Sequence, residues 1–207
     1  MRFKHVIFCF FLVVFFNASA QDSNFKKFRR LSGPEKCWVI FHPFVAKKAL
    51  KISEQTRKVT KEIQQKRLLK GNGNGGQIDA FRHAFWMATL TQEIGKRRAR
   101  SLGKKHEKGN YKDYKKRRLE DGAIPDKISS EMDLFNNEVG IEIGEKSSAL
   151  ELQRIVVVAV KNGRCKIIKK DAYENFLDCE GNYISLEILQ GKWDNNKCLV
   201  WSDEIGL

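Results

Sequence analysis

The residues best suited to chemistry lie in one stretch, Gly75 to Leu90, which reads GGQIDAFRHAFWMATL. Apolar side chains cover nearly every face of the helix predicted here, which indicates burial in a core. Four other residues recur at helical spacings i, i+3, i+4 and i+7: Asp79, Arg82, His83 and Trp86. An acid, a guanidinium, an imidazole and an indole are therefore expected along one side. Each must find a partner, since a buried unpaired polar group costs about 1–3 kcal/mol.

The expected partners lie in a second stretch, Met132 to Gly144. An apolar stripe there adjoins a stripe of residues that form helices poorly and so need a tertiary reason to be helical. That second stripe consists of Asp133, Asn137, Gly140 and Gly144. The glycines would let another backbone come close. We therefore expect Asp133 and Asn137 to face the polar side of the first helix. His106, which lies in the chain between the two stretches, is expected to join them.

These residue types suit a hydrolase that uses a metal or acid–base catalysis. The candidate ligands of a divalent metal are His83, His106, Asp133 and Asp79, since imidazole and carboxylate are ligands that such metals use. A metal there would polarise a phosphoryl or acyl oxygen. The sequence has no HExxH or comparable short ligand motif.

The candidate catalytic residues are His83, Asp133, Arg82 and Asn137. Arg82 would bind an anionic group of the substrate through paired hydrogen bonds. Asn137, or its neighbour Asn136, would orient the water or the substrate. The hypothesis is a hydrolase of phosphodiesters or lipid esters, and no cofactor other than a divalent metal is suggested.

Two non-catalytic hypotheses stand beside it. In the first, the same polar residues form a satisfied hydrogen-bond network that fixes the register of two helices. Trp86 then fills core volume, and Glu107 is exposed. In the second, the domain binds an anionic polymer, for which aromatic residues among basic ones are typical. The nearest match to that pattern is Tyr111 and Tyr114 among Lys112, Lys115, Lys116, Arg117 and Arg118.

The first 20 residues have the pattern of a secretory signal peptide. Arg2 and Lys4 precede an apolar run, and Ala18-Ser19-Ala20 fits the cleavage pattern. We therefore expect an exported protein, periplasmic or extracellular, with one domain over residues 21–207. No later stretch is apolar for about 20 residues, so no transmembrane segment is expected in the mature chain. No particular partner is indicated by the sequence. The formal charge of the full chain, +14, favours anionic substrates or polymers.

Four cysteines follow the signal peptide: Cys37, Cys165, Cys179 and Cys198. An even number in an exported chain predicts up to two disulfides. Three pairings are compatible with the sequence, and unpaired thiols are the alternative.

The fold class predicted is mainly α: a compact helical domain with a polar cluster buried between two core helices. One amphipathic helix is expected from Pro43 to about Arg67, and the central helix is expected to continue past Gly95 toward Gly103. A polar, weakly helical or mobile stretch should span residues 108–127. Residues 147–160 favour a helix over a hairpin. Residues 21–30 are expected to form a loose arm, and residues 164–207 an irregular cap with one or two short strands.

Three motifs together resemble a known family. DAFRHAFW at Asp79 to Trp86, HE at His106-Glu107 and MDLFNNEVG at Met132 to Gly140 are similar to motifs of a family of bacterial secreted domains of unknown function. The flanking sequences resemble a Bacteroidetes branch of it. The resemblance implies a helical domain in which the three motifs form one site, and it implies no activity.

The pairing of His83 with Asp133 is also similar in outline to secreted phospholipase A2, in which a helix histidine and an aspartate from a neighbouring helix activate water. The acid that follows the histidine there and binds calcium is Ala84 here, and the flanking cysteines are missing. The resemblance therefore does not extend to the calcium mechanism.

Overall fold

A computed structural model describes residues 24–119, 123–189 and 191–204. The predicted signal peptide lies outside these residues. The domain is mainly helical, as predicted, and residues 24–30 are helical where a loose arm was expected. The longer helices are α1 (Gly33–Phe41), α2 (Pro43–Gln65), α3 (Gln77–Ile94), α4 (Lys96–Lys115), α5 (Lys127–Lys146) and α6 (Leu152–Lys161). The remaining elements are a 3-10 turn (Ala149–Glu151), β1 (Lys166–Ile168), the short α7 (Leu186–Leu189) and β2 (Leu199–Trp201).

The central helix α3 lies between two apolar clusters. One side of it, with Ile78, Phe81 and Phe85, packs against α6 and β1. The other side, with Met87 and Leu90, packs against residues of α1, α2 and α4. Within the described part of the chain, no helix is long and apolar enough to cross a membrane.

Helices α3 and α5 pack closely, as the two glycines predict. A methyl group added at Gly140 would overlap the backbone carbonyl of Ala84, and one added at Gly144 would lie 2.5 Å from the carbonyl oxygen of Ala88. The absence of side chains at these two positions lets the backbones approach. This approach sets Asp133 and Asn137, on the same face of α5, against the polar side of α3.

The prediction that α3 continues past Gly95 was wrong. Gly95 adopts a φ of 84°, which favours glycine, so α3 ends there and α4 begins at Lys96. For residues 108–127 a mobile stretch or a weak helix was expected, and the structure has the helical alternative as far as Lys115, where α4 ends. It carries few large apolar residues, but it packs through Ala99, Leu102 and small or polar residues against α1 and α5.

The C-terminal segment is an irregular cap, as predicted. The strands β1 and β2 pair antiparallel, with Ile167 opposite Val200. Among the described residues one disulfide joins Cys179 to Cys198, whereas Cys37 is an exposed thiol and Cys165 a buried one. Burial raises the pKa of Cys165 to about 12, so this thiol stays protonated and unreactive.

Loss of the disulfide is expected to destabilise the domain. The bond closes a loop between cysteines 19 residues apart, and the chain-entropy model gives about 3 kcal/mol for a loop of that size. Denaturant unfolding of Cys179→Ser/Cys198→Ser should show this loss. Cys37→Ser removes an exposed thiol without a crosslink and should leave the unfolding free energy unchanged. Equal stability of all three proteins would contradict the prediction.

Candidate functional site

The first residue of the site, Asp79, is held from two directions. Its Oδ2 accepts a hydrogen bond from the backbone N–H of Gly75 at 2.7 Å, and its Oδ1 accepts one from Nη2 of Arg82 at 2.6 Å. Gly75 has a φ of 77°, and a side chain there would collide with Ile168 of β1. The glycine-rich loop before α3 therefore fixes the orientation of the carboxylate, which is 5% exposed.

The imidazole of His83 lies between the two aspartates. Its Nε2 is 3.6 Å from Oδ1 of Asp79 and 3.4 Å from Oδ1 of Asp133. Asp133 comes from α5, so the site joins both core helices. Nη2 of Arg82 lies 3.2 Å from the same Nε2. A guanidinium has only donors, so Nε2 presents its lone pair and the ring proton sits on Nδ1.

The pKa of His83 is lowered well below its ordinary value of 6.5. Burial is the largest cause, because desolvation disfavours the charged ring, and the positive charges of Arg82 and His106 add to it. Asn137 acts in the opposite direction, as a hydrogen-bond partner would. At neutral pH the imidazole is therefore uncharged, and its Nε2 lone pair faces Arg82.

Acidification should destabilise the metal-free domain through this residue. The unfolded imidazole takes up a proton near pH 6.5 and the folded one does not, so the stabilisation is complete above that pH and decreases as the pH falls. The free energy of unfolding should fall by at most about 1.4 kcal/mol for each pH unit. We expect a weaker dependence in His83→Gln, compared by urea unfolding at several pH values in chelator. NMR titration of the ring gives a second readout, and protonation of His83 near its ordinary pKa would contradict the prediction.

The two asparagines of α5 have different roles. Asn136 pins β1 to α5, since its side chain donates to the carbonyl of Lys166 at 2.9 Å and accepts from the N–H of Lys166 at 2.8 Å. Asn137 is buried beside His83. Among the described residues, neither its amide atoms nor Nδ1 of His83 has a partner at full hydrogen-bond geometry. Of these two asparagines, Asn137 is therefore the one positioned to hydrogen-bond with the imidazole of His83.

A second carboxylate and imidazole pair lies next to the first. Nδ1 of His106, on α4, donates to Oε1 of Glu35, on α1, at 3.0 Å. The ring centroid of His106 is 6.3 Å from that of His83 and 5.5 Å from that of Trp86. Glu35 is oriented in turn by Ser32, because its Oε2 accepts a hydrogen bond from the backbone N–H of Ser32 at 2.8 Å. Burial alone would raise the pKa of Glu35, but hydrogen bonding and charge attraction to His106 outweigh it, and the pKa is lowered.

Sequence reasoning missed Glu35. The signal for it was local: Ser32 and Glu35 have the spacing of a capping box, and the structure has that box. Its partnership with His106, 71 residues away, has no local signature. Glu107, expected to be exposed, is buried in α4 and accepts a hydrogen bond from Asn110 at 3.1 Å.

Three of the four candidate metal ligands converge. Single ligand atoms of Asp79, His83 and Asp133 all lie within 4.8 Å of one another. Two carboxylate oxygens and an imidazole nitrogen are a donor set for a divalent transition metal. His106 does not belong to this group in the described chain, because its Nδ1 faces Glu35. Arg82 lies at the edge of the three, with 21% of its side chain exposed.

Comparison with known proteins adds a family and no activity. No curated protein and no solved structure matches the chain. Residues 36–166 match the sequence model of a family described as a domain of unknown function (DUF6973). That range contains Asp79, His83 and Asp133 and ends at Lys166, where the first strand of the cap begins. Because it covers more than half of the 207 residues, the chain belongs to the DUF6973 family.

Proposed function

We propose that this domain is a metal-assisted hydrolase of phosphodiesters or lipid esters, with Asp79, His83 and Asp133 as the ligands of a divalent cation. One observation carries the proposal. Three electron-pair donors, two carboxylate oxygens and the lone pair of Nε2, meet within 4.8 Å at a buried point. The two carboxylates repel each other at this separation. Arg82 offsets part of that repulsion through its ion pair with Asp79, and a divalent cation at the same point would offset more of it.

The state of the imidazole supports a ligand role. Metal-binding histidines are neutral, and they donate their other ring N–H to a fixed acceptor that orients the ring. The lowered pKa of His83 supplies the neutral form. Asn137, buried beside the ring, is the side chain from which we expect the acceptor for Nδ1–H.

The other residues have roles in binding and proton transfer. A divalent cation in such a site supplies Lewis acidity toward an ester oxygen and toward water. Arg82, partly exposed, would bind the anionic group of the ester and exchange part of its contact with Asp79 for the substrate. His106 has 24% of its side chain exposed and is oriented by Glu35. We assign it the proton transfer to or from the leaving group.

Export belongs to the proposal. The disulfide between Cys179 and Cys198 is typical of proteins from oxidising compartments, which agrees with the signal-peptide pattern of residues 1–20. An extracellular or periplasmic hydrolase would act on esters of the cell envelope or its surroundings.

A structural network is the second candidate function, and the 2.6 Å ion pair of Arg82 with Asp79 favours it. In that case the polar residues only fix the helix register. The anionic-polymer hypothesis has less support. Tyr111 and Tyr114 lie 4.8 and 5.2 Å from the ring of Trp193, and the hydroxyl of Tyr114 donates to the carbonyl of Gly191. These rings hold the cap against α4.

A hydrolysis assay with and without chelator tests the proposal. Tag-free protein, residues 21–207, is incubated with an aryl phosphodiester, an aryl fatty-acid ester and a phospholipid, after loading with Zn²⁺, Mn²⁺ or Ca²⁺. We expect turnover of one substrate class that is lost with chelator, restored by the metal and abolished in His83→Ala. Asp194→Asn, at an exposed aspartate in the cap, is the charge control and should retain full activity. Turnover that survives in His83→Ala would overturn the assignment.

A further inference from the structure

The junction of α1 and α2 exposes large apolar side chains to solvent. Ile40 is 64% exposed, Phe41 76% and Phe44 99%, within five consecutive residues. We call these three residues the apolar corner. Single exposed apolar residues are ordinary, but three adjacent large ones mark a contact surface.

The corner is held rigidly. His42, between Phe41 and Phe44, stacks on the buried ring of Trp38 at a centroid distance of 4.5 Å, and its Nδ1 donates to the carbonyl of Trp38 at 2.9 Å. Trp38 is 2% exposed and belongs to the core cluster of α1, α2 and α4. The apolar side chains are therefore presented by a fixed turn and do not fold back onto the domain.

Positive charge borders the corner. Lys47, Lys48 and Lys51 follow Phe44 at helical spacings i+3, i+4 and i+7, so they lie on its side of α2. All three are exposed, and Lys48 forms an exposed ion pair with Glu93 at 3.0 Å. Residues 24–60 contain ten lysines and arginines and only two acids. Both acids are paired: Glu35 with His106, and Glu54 with Lys27 at 2.7 Å.

We propose that the apolar corner docks this domain on an anionic phospholipid surface. Phenylalanines surrounded by lysines fit both parts of such a surface, since the rings enter the boundary of the acyl chains and the ammonium groups contact lipid phosphates. A second copy of the chain would present the same lysines and would be repelled. The proposal does not depend on hydrolysis at the site. The proposal does place the membrane close to the candidate site, because Glu35 is six residues before Phe41, about 9 Å along α1.

Vesicle co-sedimentation tests the proposal. The protein, residues 21–207, is mixed with vesicles of phosphatidylcholine alone or with phosphatidylglycerol added. We expect binding to the anionic vesicles that weakens with salt, and a partition coefficient lowered about tenfold or more in Phe41→Ser/Phe44→Ser. Leu150→Ser is the matched control, because Leu150 is 98% exposed on the 3-10 turn, and it should bind like the wild type. Equal losses in both variants, or no binding by the wild type, would overturn the proposal.

The exposed thiol of Cys37 gives a local readout. Cys37 lies one turn before Phe41 on α1, and the other unpaired cysteine, Cys165, is buried. A polarity-sensitive fluorophore on Cys37 should shift to the blue with anionic vesicles. Binding without this shift would place the contact elsewhere and overturn the proposal. Sedimentation velocity tests whether a second copy of the chain occupies the corner instead. A wild-type dimer that Phe44→Ser dissociates, together with no vesicle binding, would show that it does and would overturn the proposal.

Discussion

Gly140→Ala is expected to destabilise the domain by about 3 kcal/mol or more. The new methyl group would overlap the carbonyl of Ala84, which belongs to the backbone of α3 and has no rotamer to change. The two core helices would have to separate, and their buried contacts would loosen along their length. In an exposed helix the same change would stabilise by about 1 kcal/mol, so the expected sign is the reverse of the helix propensity. Denaturant unfolding measures the effect.

Gly73→Ala is the matched control. Gly73 lies in the glycine-rich loop, and a methyl group added there would meet nothing within 4 Å. Its unfolding free energy should equal that of the wild type within about 0.5 kcal/mol. If Gly140→Ala were as stable as Gly73→Ala, the close approach of α3 and α5 would be refuted, and with it the placement of Asp133 against His83.

Asp133→Asn is expected to lower the divalent-cation affinity and the hydrolysis rate by about a hundredfold or more. Loss of a residue that only supports a metal ligand already costs about 10–100-fold, and Asp133 is proposed as a ligand. The substitution keeps the size of the side chain and removes its charge. Because Asn is nearly the same size as Asp, it should fit the buried position of Asp133 and preserve the shape of the site.

The same variant separates the two candidate functions. If the site is only a structural network, removing one charge from a buried arrangement should cost about 3–5 kcal/mol of stability and change no metal binding. If it is a metal site, relief of repulsion between the two carboxylates should leave the metal-free protein nearly as stable as the wild type. Two measurements decide between these outcomes. One is the unfolding free energy of the metal-free wild type and of Asp133→Asn, and the other is the hydrolysis rate of both proteins on the substrate class that the hydrolysis assay identifies.

The core of the site could be predicted because its information is local. Asp79, Arg82 and His83 share a face by helical spacing alone, and Gly140 in a helix needs a neighbouring backbone to explain it. Together they predicted the pairing of α3 with α5. The helix predicted over residues 147–160 likewise followed from the spacing of the apolar residues, and it is confirmed for residues 152–160.

The parts that failed depend on contacts between distant residues. Gly95 gave no sign that it would end one helix and start another, because the following segment is basic and looked like a continuation. The helical state of residues 108–115 depends on packing against other helices rather than on an apolar face of its own. Glu35 reaches His106 only because α1 packs on α4. The sequence allowed three cysteine pairings, and only the cap geometry joins Cys179 to Cys198.

The most direct measurement is a calorimetric titration of tag-free, metal-free protein with Zn²⁺ and with Mn²⁺, in parallel with His83→Ala and the control Asp194→Asn. The account predicts one binding site in the wild type and in Asp194→Asn, and loss of that site in His83→Ala while circular dichroism shows the same helical fold. Absence of binding in the wild type, or the same affinity in His83→Ala, would contradict the claim that Asp79, His83 and Asp133 hold a cation.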